Sequence, residues 1–454
     1  MSNCCIREYG YILCSDADSK ESSIDCCYVS SADWSFLEQS AFSNEKNNRF
    51  IRLASRNGKK ALQVVNFVGV VSTPSGTHIE ILPKTTEASQ NVVETRKLLI
   101  KLLYVADELP FIETTDASLQ LHQKSLPEVL ISRFLSSLAS VVRQGIRKDY
   151  HRIESEEPFL KGQLQVAQQL RQPVGKQHLF QITYDIFSEN RAENRLIHSA
   201  LIQVSKWIGS SDNQKLVREL RFAFNDVPKS NNYEADFRLW KNTRDMISYR
   251  ALLPWVKLIL NQQSPFTLKD KHAGISFLFP MEKLFEQYVA KILQKYLGYE
   301  VKTQLKQHYL LGSPKAFLLK PDLAIYDKSK LLVILDTKWK LIDQNTQYDN
   351  GNEDPKSGIS QADMYQMFAY GKKYFKSHEN GKLVLIYPHW GKFNTPLKQF
   401  KFDDTLTLDV IPFDLTIDLN DKGDPKNNEL MFKHILEITS RVPYSDLTPQ
   451  AEIA

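Results

Sequence analysis

Little in this chain assigns it at a glance, and several kinds of protein are excluded by what is missing. Its five cysteines, Cys4, Cys5, Cys14, Cys26 and Cys27, all lie within the first 27 residues, and none forms the C-x-x-C spacing of a zinc ribbon or a thioredoxin-like site. Free thiols in a reducing compartment are therefore expected, not a disulfide framework. No apolar run approaches the roughly 18 residues of a membrane span, and the start MSNCCIREYG has neither the basic opening nor the apolar centre of a secretory signal. The expectation is a cytoplasmic protein with no membrane partner. A GxxxxGK[ST] phosphate loop is also absent, so the chain alone should neither bind nor hydrolyse a nucleoside triphosphate. No internal repeat is evident. The net charge of +5 over 454 residues permits a polyanionic partner without pointing to one, because a local basic surface matters more than the total.

What is present fits a globular, multi-domain chain. At 42% hydrophobic residues with both charge signs interspersed it can bury more than one core. From Ile6 to about Pro83 the runs REYGYIL, ALQVVNFVGVVS and THIEILPK read as strands, with TPSGT at 73–77 as a hairpin turn. The period then becomes helical, in VVETRKLLIKLLYVADEL and in SLPEVLISRFLSSLASVVRQGIRKDY, where Ser125 suits an N-cap with Pro127 just inside and Glu128 in the capping-box position. RAENRLIHSALIQVSKWI and SYRALLPWVKLIL continue the helical pattern, and the polar NQQSPFTLKDKHAG follows as a connector. The last part reads as helix MEKLFEQYVAKILQKYL, strands YEVKTQLKQHYLL, AFLLKPDLAIYD and KLLVILDTKWK, helix ADMYQMFAYGKKYF and strand KLVLIYP. The expected organisation is thus an α+β multi-domain protein: a β-rich domain over 1–120, a helical middle region over 121–275, and an α/β domain with a mixed sheet flanked by helices over 276–454. Residues 342–359, polar and rich in Asn, Asp and Gly, read as an exposed loop.

Chemistry concentrates in KPDLAIYDKSKLLVILDTKWK, residues 320–340. Five Asp/Glu-x-Lys triplets occur in the chain, so the triplet alone means little; only Asp336-Thr337-Lys338 ends a buried-looking strand with a Pro-Asp just upstream. The strand period of two puts Asp336 and Lys338 on one face, projecting toward whatever Asp322 faces. Two carboxylates and a lysine converging suit a hard cation such as Mg2+ acting on a phosphodiester. Gln366 and Tyr370 lie four apart on the following helix and share a face, and Glu282 and Glu286 form a similar pair on the preceding one; spacing alone does not choose between the two glutamates.

At these residues the sequence resembles the PD-(D/E)XK nuclease superfamily and, more closely, the McrC family, the nuclease subunit of McrBC restriction systems that act on modified cytosine. The resemblance runs through REYG, GTHIEILPK, VRQGIRKDY, SENRAENRLI, FPMEKLFEQYV, KPDLAIYD, ILDTKWK, DMYQMFAYGKKY and LIYP in order, and so covers most of the chain. It implies that Asp322 and Asp336 are metal-binding carboxylates, that Lys338 is the catalytic lysine, that Gln366 takes the helix-glutamine position, and that Glu286 is the opening-helix acid. Tyr370 would help to position substrate. Trp339 stands where the family usually has Tyr, and Gln361 with Tyr365 makes a second QxxxY pair, although the YQMFAY match favours Gln366. The implied activity is Mg2+-dependent DNA cleavage, with GTP used only by a partner, a McrB-like AAA+ GTPase ring docked on the N-terminal region and stimulated by it. A stand-alone RecB-like nuclease and a non-catalytic adaptor of an NTPase ring are the alternatives.

Overall fold

The computed structural model describes residues 3–15, 22–43, 50–73, 75–85, 92–106, 125–241, 243–260, 276–344, 356, 358–375, 380–415 and 435. The connector 261–274, residues 107–109 of the first helical run and most of the loop 342–359 lie outside them. Two compact units are formed, one by Met1–Gly69, Ser75–Leu109 and Leu278–Ala454, the other by Val70–Pro74 with Pro110–Phe277. Among the described residues no helix is long and apolar enough to cross a membrane, and the five cysteines are free.

Strands from residues 3–82, joined by one from Ser276–Pro280, build two small sheets. One has the order β1 (Asn3–Arg7), β7 (His78–Leu82), β6 (Phe67–Ser72), β11 (Ser276–Pro280); the other has β3 (Cys26–Val29), β2 (Tyr11–Cys14), β5 (Lys59–Val64), β4 (Ile51–Arg56). Asn57 and Gly58 both take positive φ, 51° and 76°, which is what a tight two-residue turn between the right-twisted strands β4 and β5 demands.

The rest of the first unit is a six-stranded mixed sheet in the order β12 (Glu300–Thr303), β15 (Leu323–Asp327), β16 (Lys330–Thr337), β17 (Gly381–Pro388), β19 (Leu406–Phe413), β18 (Phe400–Lys401). β15 and β16 are antiparallel, whereas β16, β17 and β19 run parallel. Parallel neighbours need a crossover, and the helix Gln361–Tyr374 supplies the one between β16 and β17. This glutamine helix packs through Met367 and Tyr370 on Ile334, Leu383, Leu385 and Leu408, which share one face of the sheet. A Cβ on its Gly371 would stand 2.5 Å from Leu406, so only glycine lets the helix lie this close. The opposite face carries the opening helix Met281–Tyr296, where the Phe285 ring packs tilted against Trp339 at 5.3 Å and edge-on to Phe413 at 6.3 Å between centroids.

Two sequence expectations are corrected in this domain. YEVKTQLKQHYLL and AFLLKPDLAIYD are not single strands. Each breaks in the middle, and the inner parts pair separately as the hairpin β13 (His308–Leu311) and β14 (Ala316–Leu319). Pro321 is the cause in the second run, since it has no N–H for a ladder. In the first, Gln304 adopts φ 48° and turns the chain away. Asp322 consequently sits at the mouth of β15, in the break between strands.

The middle unit departs from the expected helical region. Helices Leu126–Arg143, Ala192–Ser205, Ser211–Ala223 and Leu253–Leu260 are present, but β8 (Asp149–Glu157), β10 (Phe180–Ser188) and β9 (Gln163–Leu164) add a three-stranded antiparallel sheet. Alternation of polar and apolar residues in DYHRIESEE and FQITYDIFS is the strand signal that the surrounding helical runs obscure. Nor does Glu128 form a capping box, because Ser125 makes no side-chain cap. Its carboxylate instead accepts from the N–H groups of Gly209 and Ser210 and from Asn213 Nδ2, at 2.5, 3.1 and 2.7 Å, and so anchors the residues that lead into the helix Ser211–Ala223, whose N-cap is Ser210.

Candidate active site

β16 is flanked by β15 and β17, so Asp336 near its C-terminal end is only 1% exposed. By strand alternation it shares a face with Ile334, toward the glutamine helix, and Lys338 follows on that same face. The last rung beyond β16 is Lys338 N–H to Ile386 O at 2.8 Å. Lys338 Nζ then pairs with Asp336 Oδ2 at 2.5 Å and donates to Gln366 Oε1 at 2.8 Å. Gln366 Nε2 donates to the Tyr370 hydroxyl at 2.6 Å, which donates to Lys320 O at 3.0 Å. The ammonium is therefore held from two sides by groups that are themselves held.

Asp322 joins through Thr337: its Oδ2 accepts from the Thr337 N–H at 2.8 Å and from Thr337 Oγ1 at 2.7 Å. Gln304 links it to the opening helix, donating its N–H to Asp322 O at 2.7 Å and its side-chain amide to Glu286 Oε1 at 2.9 Å. Of the two candidate glutamates, Glu286 faces this cluster, and the charge of Asp322 bears on it. Glu282, one turn earlier on the same side of the helix, is exposed, and its charge bears on Glu8 and Lys84. Gln361 and Tyr365 are exposed and hydrogen-bonded to each other, away from Lys338.

The electrostatics follow from this packing. Burial, reinforced by the charge of Asp322, pushes the Asp336 carboxyl up to about 7 against the pull of Lys338. Among the described residues neither oxygen of Asp336 accepts a well-directed hydrogen bond; Oδ2 has only the ion pair, and Oδ1 has no partner. For Lys338, burial would lower the pKa, but Asp336, Asp322 and Asp363 outweigh it and the ammonium is raised. Burial and the charge of Asp336 also raise the Tyr370 hydroxyl, so it stays protonated as a donor.

Sequence reasoning misses three contributors: Thr337, Gln304 and the pair Lys340–Asp363. Asp363, 5% exposed, accepts from Lys340 Nζ at 2.9 and 2.7 Å and from the Tyr387 hydroxyl at 3.1 Å. Burial alone would raise its carboxyl, yet the Lys340 and Ser360 hydrogen bonds hold it below the usual value. Its spacing offers a signal, for Asp363 precedes Gln366 by three and Lys340 follows Lys338 by two, so helix and strand periods stack a second ion-pair rung on the first. Gln304 leaves no such signal.

Among the described residues no group of three or more His, Cys, Asp or Glu side chains stands close enough to hold a metal ion. The acidic pair Asp322 and Asp336, with its partnerless buried oxygen, nevertheless suits a hard divalent cation, because Mg2+ usually takes one or two protein carboxylates and leaves its other positions to water and phosphate.

Fold and site together define a mixed α+β protein of two units with a buried carboxylate, lysine and glutamine cluster at the end of a central strand. Residues 62–388, more than half of the chain, match the family model described as McrBC 5-methylcytosine restriction system component, and the chain belongs to that family. No curated protein matches it. Among solved structures it is similar to the refined half-complex from the tetradecameric assembly of Thermococcus gammatolerans McrB AAA+ hexamers with bound McrC, with TM-score 0.68 at 18% identity over 96% of this chain and 100% of that one. The cryo-EM structure of the Thermococcus gammatolerans McrBC complex matches more loosely, with TM-score 0.48 at 19% identity over 68% of this chain and 90% of that one.

Proposed function

We propose that this chain is the DNA-cutting subunit of a GTP-dependent restriction complex specific for modified cytosine: a Mg2+-dependent endonuclease of the PD-(D/E)XK type that docks on and stimulates a McrB-like AAA+ GTPase ring. The observation that carries this reading is the end of β16, where a buried carboxylate with a partnerless oxygen sits against a lysine that is locked between it and Gln366. Membership of the McrBC family supports it, as does the similar assembly in which McrC is bound to McrB AAA+ hexamers. The missing phosphate loop makes a nucleotide-hydrolysing partner necessary for any GTP dependence.

Asp322 and Asp336 would hold the ion, with Glu286 as the further acidic group. When bound, Mg2+ supplies Lewis-acid polarisation of the scissile phosphodiester and a water of lowered pKa. The chain's own groups do the rest. Lys338 has three donors, of which Asp336 and Gln366 engage two, so the third remains to meet charge that develops on the phosphate or to orient the attacking water. Gln366, fixed by Tyr370, keeps the ammonium from swinging away. Low exposure around Asp336 strengthens each of these interactions. Basic residues would contact the DNA backbone, and reading of the modified base would fall largely to the partner.

The test is cleavage of methylated DNA by the chain reconstituted with its GTPase partner. Wild type should cut only with Mg2+ and GTP, and Asp336→Ala should not cut; a variant that cut at the wild-type rate would refute the reading. A stand-alone RecB-like nuclease would cut without partner or GTP. A pure adaptor would stimulate GTP hydrolysis and never cut.

A further inference from the structure

Two N-terminal motifs play no part in the cluster described above, REYG and ILPK, and in the folded chain both reach the residue that follows Lys338. β1 and β7 are parallel neighbours with Arg7 opposite Leu82, so Glu8 and Lys84 emerge together from the same end of one sheet. The Glu8 N–H donates to Leu82 O at 2.9 Å and the Lys84 N–H to Glu8 Oε2 at 3.1 Å, which joins the two. Both then hold Trp339. Its indole N–H donates to Glu8 Oε2 at 2.8 Å, and its carbonyl oxygen accepts from Lys84 Nζ at 2.6 Å. The Lys84 ammonium also lies 5.3 Å from the centre of the indole ring, within cation–π range.

This is an expensive arrangement for mere packing. Glu8 is 1% exposed and its second oxygen, Oε1, has no hydrogen-bond partner among the described residues. An apolar contact would hold a tryptophan with less desolvation, whereas a buried charged grip gains direction. Direction matters at this residue, because ladder bonding beyond β16 ends with the Lys338 N–H. Lys338 and Trp339 point to opposite faces of the strand, so any roll of the strand end moves both side chains. The exposed Glu282 on the opening helix lies near enough for its charge to bear on both Glu8 and Lys84.

We propose that Glu8 and Lys84 are positioning residues: by gripping Trp339 at its indole N–H and at its carbonyl oxygen, they fix the strand end on which Lys338 meets Asp336 and Gln366. The N-terminal sheet is thereby part of the cutting site's scaffold as well as a docking element. The catalytic consequence rests on the nuclease reading above; the mechanical one does not.

The experiment uses the full chain with Lys84→Met, Trp339→Phe and Lys84→Arg. Trp339→Phe removes only the indole donor and keeps an aromatic ring against Phe285, so it serves if Lys84→Met fails to fold. Hydrogen exchange is followed in the peptide spanning residues 337–341 of the chain alone, and single-turnover cleavage and DNA affinity are measured with the partner ring and Mg2+. Expected are exchange in that peptide faster by about tenfold, cleavage slower by about tenfold to a hundredfold, DNA affinity unchanged, and recovery of both rates to within about threefold in Lys84→Arg, whose longer fork still donates to the carbonyl. Wild-type exchange in the folded variants overturns the brace, and so does a cleavage loss that follows lost DNA affinity or that Lys84→Arg does not restore. Faster exchange in a chain whose wild type cuts no DNA keeps the brace and refutes the nuclease. Cleavage within about twofold of an active wild type refutes the brace and keeps the nuclease.

Discussion

Replacing Asp336 by Asn should make the metal-free protein more stable at alkaline pH while abolishing its activity. An unfolded Asp336 ionises near 3.8 and the folded one near 7, with burial the main cause. Below both values the group is protonated in either state and contributes nothing. As pH rises between them the unfolded state loses its proton first, so stability falls, and above the folded value the full cost is present. At about 1.4 kcal/mol per unit, a gap of about three units makes ionised Asp336 cost about 4 kcal/mol. Asn escapes that cost, in which the pull of Lys338 is already contained, but buries an amide NH2 beside the Lys338 ammonium, an offset of about 1–3 kcal/mol that does not change with pH because the amide does not titrate. The net expectation is a gain of about 1–3 kcal/mol at about pH 8, shrinking by about 2 kcal/mol at about pH 5.5. Urea unfolding in a chelating buffer at the two pH values measures it. Saturating Mg2+ should then stabilise wild type by about 2.7 kcal/mol at a hundred times its dissociation constant and leave the Asn variant unmoved. An Asn variant no more stable than wild type at the higher pH, or a gap that does not change with pH, would refute the reasoning.

Other perturbations separate the remaining groups. Gln366→Ala removes one charge-assisted bond to Lys338, about 1.5–3 kcal/mol, so single-turnover cleavage should fall about ten- to hundredfold; Gln361→Ala, on the exposed side of the same helix, should leave the rate unchanged. Lys338→Met should slow cleavage by about a hundredfold or more with DNA affinity retained, and Lys338→Arg should not restore it, because a planar fork does not fit the place of a point charge between Asp336 and Gln366. In the middle unit, Glu128→Ala frees the Gly209 and Ser210 N–H groups that lead into Ser211–Ala223, while the Ser210 cap on Asn213 remains, at a cost of about 1–2 kcal/mol, visible as faster amide exchange at Gly209 and Ser210.

Much of the fold and of the candidate site is legible in the residues themselves, wherever the physics is local. The apolar runs LLVIL and LVLIYP, short and rich in branched residues, read as buried strands, and the helical period of ADMYQMFAYGKKYF puts Gln366 and Tyr370 on one face. Alternation places Asp336 and Lys338 together. The strands of the middle unit escape such reading because short alternating polar segments between strong helical runs carry a weak signal. Local capping rules misplace Glu128 because its partners are about eighty residues away in sequence, at Gly209 to Asn213.

The sequence by itself determined the chemistry available at this end of the sheet: two acidic residues, a lysine and a glutamine in a spacing that strand and helix periods bring to one side. Only the tertiary structure decided which of equivalent residues take part, since Glu286 and Glu282 are indistinguishable by spacing and are separated by what Asp322 and Glu8 place beside them. It alone also brought Glu8 and Lys84 to Trp339, residues more than two hundred and fifty positions apart in the chain. Periodicity reports which face a side chain takes on its own element. Which partner meets that face is set by how distant elements pack, and no local pattern encodes it.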